Sequence, residues 1–132
     1  MTGETSLQAL LASMAPELIE GEFVFCSFDS ARYGDHADLA PIASMSEQEG
    51  LTLVIPAAQA DAHGITYDTA FRCITLQVHS SLEAVGLTAA FSNKLTEHGL
   101  SANVIAGFYH DHIFIQSDVV DHALAALREL AH

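Results

Sequence analysis

Apolar positions along this chain recur at two spacings, one helical and one extended, and the alternation between them outlines the fold. Leu7, Leu10, Leu11 and Met14 share one helical face behind the capping pattern Thr5-Ser6-Leu7-Gln8, which predicts a helix over 6–14 that stops before Pro16. Phe23 to Phe28, bounded by Gly21 and Asp29-Ser30, is a strand. Residues 29–49 are polar, hold Gly34 and Pro41, and contain one apolar piece, Leu39 to Ala43; they read as an irregular insertion with a single short strand. Leu51 to Ile55 alternates as a strand, and Pro56 then opens a short helix that Gly64 ends.

The second half has the stronger punctuation. Phe71 to His79 sets Ile74, Leu76 and Val78 against Cys73, Thr75, Gln77 and His79, as expected of a strand with one face on a core. Ser80-Ser81-Leu82-Glu83 is a capping box opening a helix over 82–98, with Gly99 as its left-handed cap. Ala102 to Tyr109 and His112 to Gln116 read as strands joined at His110-Asp111, and a last helix over 118–130 turns Val120, Ala123, Leu124 and Leu127 inward.

Laid side by side, helix 6–14, strand 23–28, strand 51–55 and helix 57–63 match helix 82–98, strand 102–109, strand 112–116 and helix 118–130 in order. Two related units follow, over 1–66 and 67–132, of the α+β class, with antiparallel sheets and helices packed on one face.

Charge narrows the function. The 132 residues carry a formal charge of −13, which excludes a nucleic-acid backbone or an anionic membrane as partner, because either needs clustered Lys and Arg. The acid is concentrated early: residues 1–70 hold eleven acids and only Arg32, so the first half reads as a solvated cover. No apolar run approaches the ~18 residues of a membrane helix, and the N-terminus does not read as a secretion signal, so a cytoplasmic location is expected. Cys26 and Cys73 stand far apart in apolar runs, as two buried reduced thiols.

The motifs GxSxG, HExxH, GxGxxG and GxxxxGK[ST] are all absent, and so few cations leave little to clamp a phosphoryl group; no enzymatic activity is expected. His110-Asp111-His112 puts two imidazoles on one face of extended backbone, a spacing that can hold a metal only with a third ligand, for which His79, His122 and Asp118 are candidates. A structural hairpin is the competing reading of the same residues. The run from His79 to Gly86 leads from a strand end into a helix N-terminus, where backbone N–H groups and the helix dipole favour a carboxylate or phosphate. Gly86, placed in the second helical turn, costs about 1 kcal/mol against Ala, which suggests something packed close to the backbone, either a neighbouring strand or a ligand. Asn103 is a candidate to bring a side-chain amide to the same end of the sheet.

The runs ITLQVHSSLEAVGLTAAFSNKL and SANVIAGFYHDHIFI resemble the C-terminal half of bacterial tandem ACT-domain proteins, and EGLTLVI with its flanking helices resembles their N-terminal module. The resemblance covers nearly all 132 residues and is most specific in VHSSLEAVGLTA and YHDHIF. It implies two ferredoxin-like βαββαβ modules in tandem that bind a small molecule, typically an amino acid, near the first strand-to-helix turn. On this chain that turn is His79, Ser80, Ser81, Leu82, Glu83, Ala84, Val85 and Gly86, with Asn103, Val104 and Ile105 on adjoining strands. The family's turn places its Gly before the helix, whereas here Ser80 and Ser81 occupy it.

The expected role is therefore a non-enzymatic regulatory module with the ligand carboxylate on the amides of Ser80 to Ala84. Val85, Leu87 and Ile105 favour a small apolar amino acid. A homodimer and a separate regulated enzyme are the implied partners. Two alternatives stand beside this reading: an interaction module with no metabolite, and a metal protein using His110 and His112.

Overall fold

A computed structural model describes residues 15–77 and 86–130. They cluster into two compact units, one of residues 15–20 with 72–77 and 86–130 and one of Gly21–Phe71. The predicted helix over 6–14 lies outside the described residues.

In the unit of residues 21–71, β2 (Phe23–Phe28) pairs antiparallel with β4 (Gly50–Pro56) along its whole length, from Phe23 opposite Pro56 to Phe28 opposite Leu51. On its far side β4 pairs with β3 (Ala43–Glu47), from Ala43 opposite Val54 to Glu47 opposite Gly50. Pro56 ends the strand and precedes α1 (Ala57–Ala62), whose first amide donates to Glu22 O at 2.8 Å. Val24, Leu51, Leu53 and Ile55 point to one side and bury against Ala57 and Ala60 of this helix and against Leu39 from the preceding loop. Residues 29–42 form a loop with a single 3₁₀ turn at Ala37–Leu39. The single short strand expected within residues 29–49 lies at 43–47. Its side chains are mostly exposed and show no apolar alternation, which is why the sequence does not fix its position.

In the other unit, β5 (Phe71–Leu76) lies between β1 (Pro16–Leu18) and β7 (Asp111–Gln116), and β6 (Asn103–Ala106) closes the far side of β7. The three-residue β1 pairs antiparallel with β5, Pro16 opposite Leu76, and starts with proline where a strand tolerates one. Helix α2 (Leu87–Glu97) buries Leu87, Phe91 and Leu95, and α3 (Val120–Leu130) follows a 3₁₀ turn at Ser117–Val119 and buries Val120, Ala123, Leu124, Ala126 and Leu127. Both helices pack on the sheet face that carries Ile74, Leu76, Ile113 and Ile115. Antiparallel pairing with helices on one face is as the sequence predicts. Gly99 caps α2 at φ +72°, with the Leu100 amide donating to Leu95 O at 2.9 Å.

The repeat has a different phase from the one read in the sequence. Within each unit a first strand lies beside a third, the second and third form a hairpin, and a helix closes: β2, β3, β4, α1 in one, and β5, β6, β7, α3 in the other. Strand 23–28 therefore corresponds to 71–76 rather than to 102–109, and the loop over 29–42 stands where the other unit has α2.

Candidate functional site

The strand-to-helix turn singled out in the sequence is described only at its end. His79, Ser80, Ser81, Leu82, Glu83, Ala84 and Val85 lie outside the described residues. Gly86 is described, and it corrects the expectation: it sits at the N-cap of α2 with φ +94° and ψ −12°, outside the helix, which begins at Leu87. A backbone at this φ cannot continue a right-handed helix, and a residue with a Cβ resists it, so glycine's lack of a side chain explains its presence here. The chain thus does place a glycine before the helix.

Gly86 offers no side chain to cap the first turn of α2, and that turn carries no acidic residue; Lys94 stands in the last turn. The positive end of the helix dipole is therefore not neutralised from within α2, and its charge distribution favours an anionic group at Gly86.

The three strand residues separate. Val104 packs on the helix side of the sheet with the core, opposite Ile113. Asn103 and Ile105, alternating with it, face the other side, opposite Phe114 and His112. Asn103 is exposed and Ile105 half-buried. Ile105 is level with His112 on the neighbouring β7; Asn103 lies two residues, about 6.6 Å, farther along the strand. Val104 can thus reach that face only through its backbone.

The same face holds a polar relay absent from the sequence reading. Thr75 is buried, and its Oγ1 shares a hydrogen bond with His112 Nδ1 at 2.9 Å, while Cys73 Sγ lies 4.0 Å from the same hydroxyl. Burial pushes the His112 imidazole below its usual range, with His110 acting in the same direction and Asp111 opposing. Burial pushes the Asp111 carboxyl up against the opposing pull of His112 and His110. Desolvation also raises the Cys73 and Cys26 thiols, the former partly offset by Thr75. Both cysteines are free. The alternation of Cys73, Thr75 and His112 is legible in the sequence; their meeting across two strands is not.

His112 lies on β7, whereas His110 precedes the strand. His110 lies in the turn ahead of β7, where its carbonyl accepts the Gly107 amide at 2.9 Å, and its Nδ1 is buried without a hydrogen-bond partner among the described residues. A methyl on Gly107 would meet the His112 ring at 3.2 Å, which fixes that ring against the turn. Of the candidate third ligands, His79 is outside the described residues, and His122 instead places Nε2 3.0 Å from Nδ1 of His98. Asp118 sits in the 3₁₀ turn after β7. No group of three or more His, Cys, Asp or Glu poised for a metal occurs among the described residues.

Residues 2–72 match an ACT domain and residues 69–129 match a second ACT domain. The chain belongs to the ACT-domain family, two such domains in tandem, and ACT domains are regulatory, small-molecule-binding modules.

Among solved structures, a protein of unknown function from Vibrio cholerae described as a possible transport protein is 55% identical, with TM-score 0.87, over 97% of this chain and 98% of that one. A protein from Agrobacterium tumefaciens matches at TM-score 0.70 and 14% identity over 90% of each chain. A C-terminal regulatory domain of aspartate kinase from Porphyromonas gingivalis matches at TM-score 0.57 and 15% identity, over 91% of this chain and 98% of that one. The latter two likenesses are of fold. No curated protein matches the chain. Among the described residues no helix is long and apolar enough to cross a membrane.

Proposed function

We propose that this chain is a cytoplasmic, non-enzymatic sensor of a small apolar amino acid, acting on a separate enzyme. The observation that carries the reading is Gly86 at φ +94° in front of α2, with no capping side chain of its own and no acid in the first turn. The ligand carboxylate sits on the amides of Ser80 to Ala84 and the turn closed by Gly86. Ile105, half-buried on β6 opposite His112, and Val85 offer apolar surface for its side chain, Leu87 being taken up by the core, and Asn103 offers a side-chain amide farther along the strand. Its ammonium group is held by a carboxylate or carbonyl not yet identified. The family match and the fold shared with an aspartate kinase regulatory domain support a role in amino-acid feedback.

The partner is a second copy of the chain. Among the described residues β6 ends its sheet, leaving an open edge that another copy can extend. Light scattering at micromolar concentration is expected to give a dimer, and a monomer contradicts it.

The ligand is tested by a thermal-shift screen of the full chain against the twenty amino acids. A ligand at about 100 times its Kd stabilises the native state by about 2.7 kcal/mol, on the order of 10 °C for a chain of this size. A shift confined to apolar amino acids is expected, and no shift with any of the twenty contradicts the reading.

One observation favours a second reading, an interaction module without a metabolite. Phe108 and Tyr109, 75% and 64% exposed, stack edge-to-face at 5.1 Å in the turn between β6 and β7. Exposed paired aromatics of this kind mark protein-binding surfaces. Under this reading Phe108→Ser disrupts self-association and the amino-acid screen is silent.

A further inference from the structure

We propose that the loop between β2 and β3 forms a second small-molecule site, independent of the Gly86 turn, which takes a primary ammonium ion carrying an apolar body. The loop and the strands beside it enclose a hollow of about 300 Å³, at the lower bound of known ligand sites. Pro41, Ile42 and Leu53 give it apolar walls, Ser44 and Tyr33 add hydroxyls, and Asp35 is its single charged residue. Ile42 and Tyr33 are 51% and 85% exposed, so the loop presents apolar and aromatic surface to solvent.

The charge selects the ligand. The unit of residues 21–71 contains eight acids and Arg32 as its only Lys or Arg, so its field excludes phosphates and carboxylates and gathers cations. Asp35 Oδ2 accepts the Arg32 backbone N–H at 2.8 Å, and no ion pair joins Asp35 to a cation among the described residues. Its second oxygen is left to receive an ammonium, and the Tyr33 ring offers that cation a π face.

The hollow is shaped in advance. His36 and Ala40 lie at φ +63° and +55°, conformations rare for residues with a Cβ and retained only where the surroundings enforce them. Leu39 between them is 3% exposed in the core, and the His36 ring stacks on Phe28 at 3.9 Å. The Ile42 amide donates to Val54 O at 2.8 Å, tying the loop to β4. Little ordering is left for binding to do.

The test is an amide-resolved NMR titration of the full chain with phenethylamine, 2-phenylethanol and 3-phenylpropionate. Phenethylamine is expected to shift the amides of residues 33–37 and 42–44 saturably. The neutral alcohol should bind there about three to ten times more weakly and the acid not at all. Asp35→Asn keeps an oxygen for the Arg32 amide and should lower amine affinity to that of the alcohol. Tyr33→Ala, at an exposed ring, should weaken the amine without disturbing the fold. The proposal is overturned by the absence of saturable shifts in these segments, by Asp35→Asn binding the amine within twofold of the parent, or by equal binding of the acid. Shifts confined to Gly86 and its neighbours overturn it too while leaving the amino-acid site intact.

Discussion

Gly86→Ala separates two accounts of this chain by the sign of its effect. Inside a helix, the position read from periodicity, the substitution stabilises by about 0.5–1 kcal/mol because alanine loses less backbone freedom on folding. At φ +94° ahead of α2, the added Cβ crowds the backbone, and the cost of left-handed conformation for an L residue is about 1–2 kcal/mol. With an unfolding entropy scaled to a chain of this size, that lowers Tm by about 4–7 °C, whereas the helical position raises it by about 2–4 °C. Urea unfolding followed by circular dichroism, with Gly86→Asn alongside, reads the difference directly. Asn tolerates this backbone better and should fall between glycine and alanine. An alanine variant as stable as the parent, or more so, refutes the placement of Gly86 outside the helix and removes the principal support for the ligand turn.

Three further outcomes follow from the cores and the relay. Thr75→Val leaves His112 Nδ1 without its buried partner at 2.9 Å, so unfolding free energy should drop by about 1–3 kcal/mol, and a drop below 0.5 kcal/mol would show the bond to be dispensable. Burial holds the folded His112 below its ordinary value of 6.5, so below that pH the unfolded chain gains a proton the folded chain refuses; stability is full above about pH 6.5 and declines as pH falls toward the folded value. His112→Asn should flatten that decline in denaturation series, and parallel curves would assign it elsewhere. Asp111, raised above 3.8, acts at lower pH and with the opposite sign. Leu39→Ala empties a site 3% exposed and should cost about 2–5 kcal/mol, with the amides of residues 33–42 shifting together; a loss under 1 kcal/mol would mean the loop is not anchored there.

The elements most legible in the sequence bury one face on a regular period. Phe23–Phe28 matches β2 at both ends, and Val120–Leu130 was found by its inward stripe of Val120, Ala123, Leu124 and Leu127. Those that escaped carry no such period. β3 exposes nearly every side chain, and β1 is three residues long, held by pairing to β5 across nearly 60 positions of sequence. A strand without an apolar period adds nothing to a repeat read from apolar spacing, which therefore lines up on helices rather than on hairpins. Ser80-Ser81-Leu82-Glu83 is a strong local capping signal that puts Gly86 inside a helix, and local pattern carries no information on a positive φ six residues later. Asn103 and Ile105 are legible as positions on one strand, but which face each takes depends on the pairing with Phe114 and His112.

The most direct test of the amino-acid reading is an amide-resolved titration of the full chain with L-valine, L-leucine and L-isoleucine. Saturable shifts at residues 80–84, Gly86 and Ile105 with at least one of the three are the predicted result. Amides in those segments unmoved by all three at millimolar concentration, or shifts confined to residues 33–44, would contradict it.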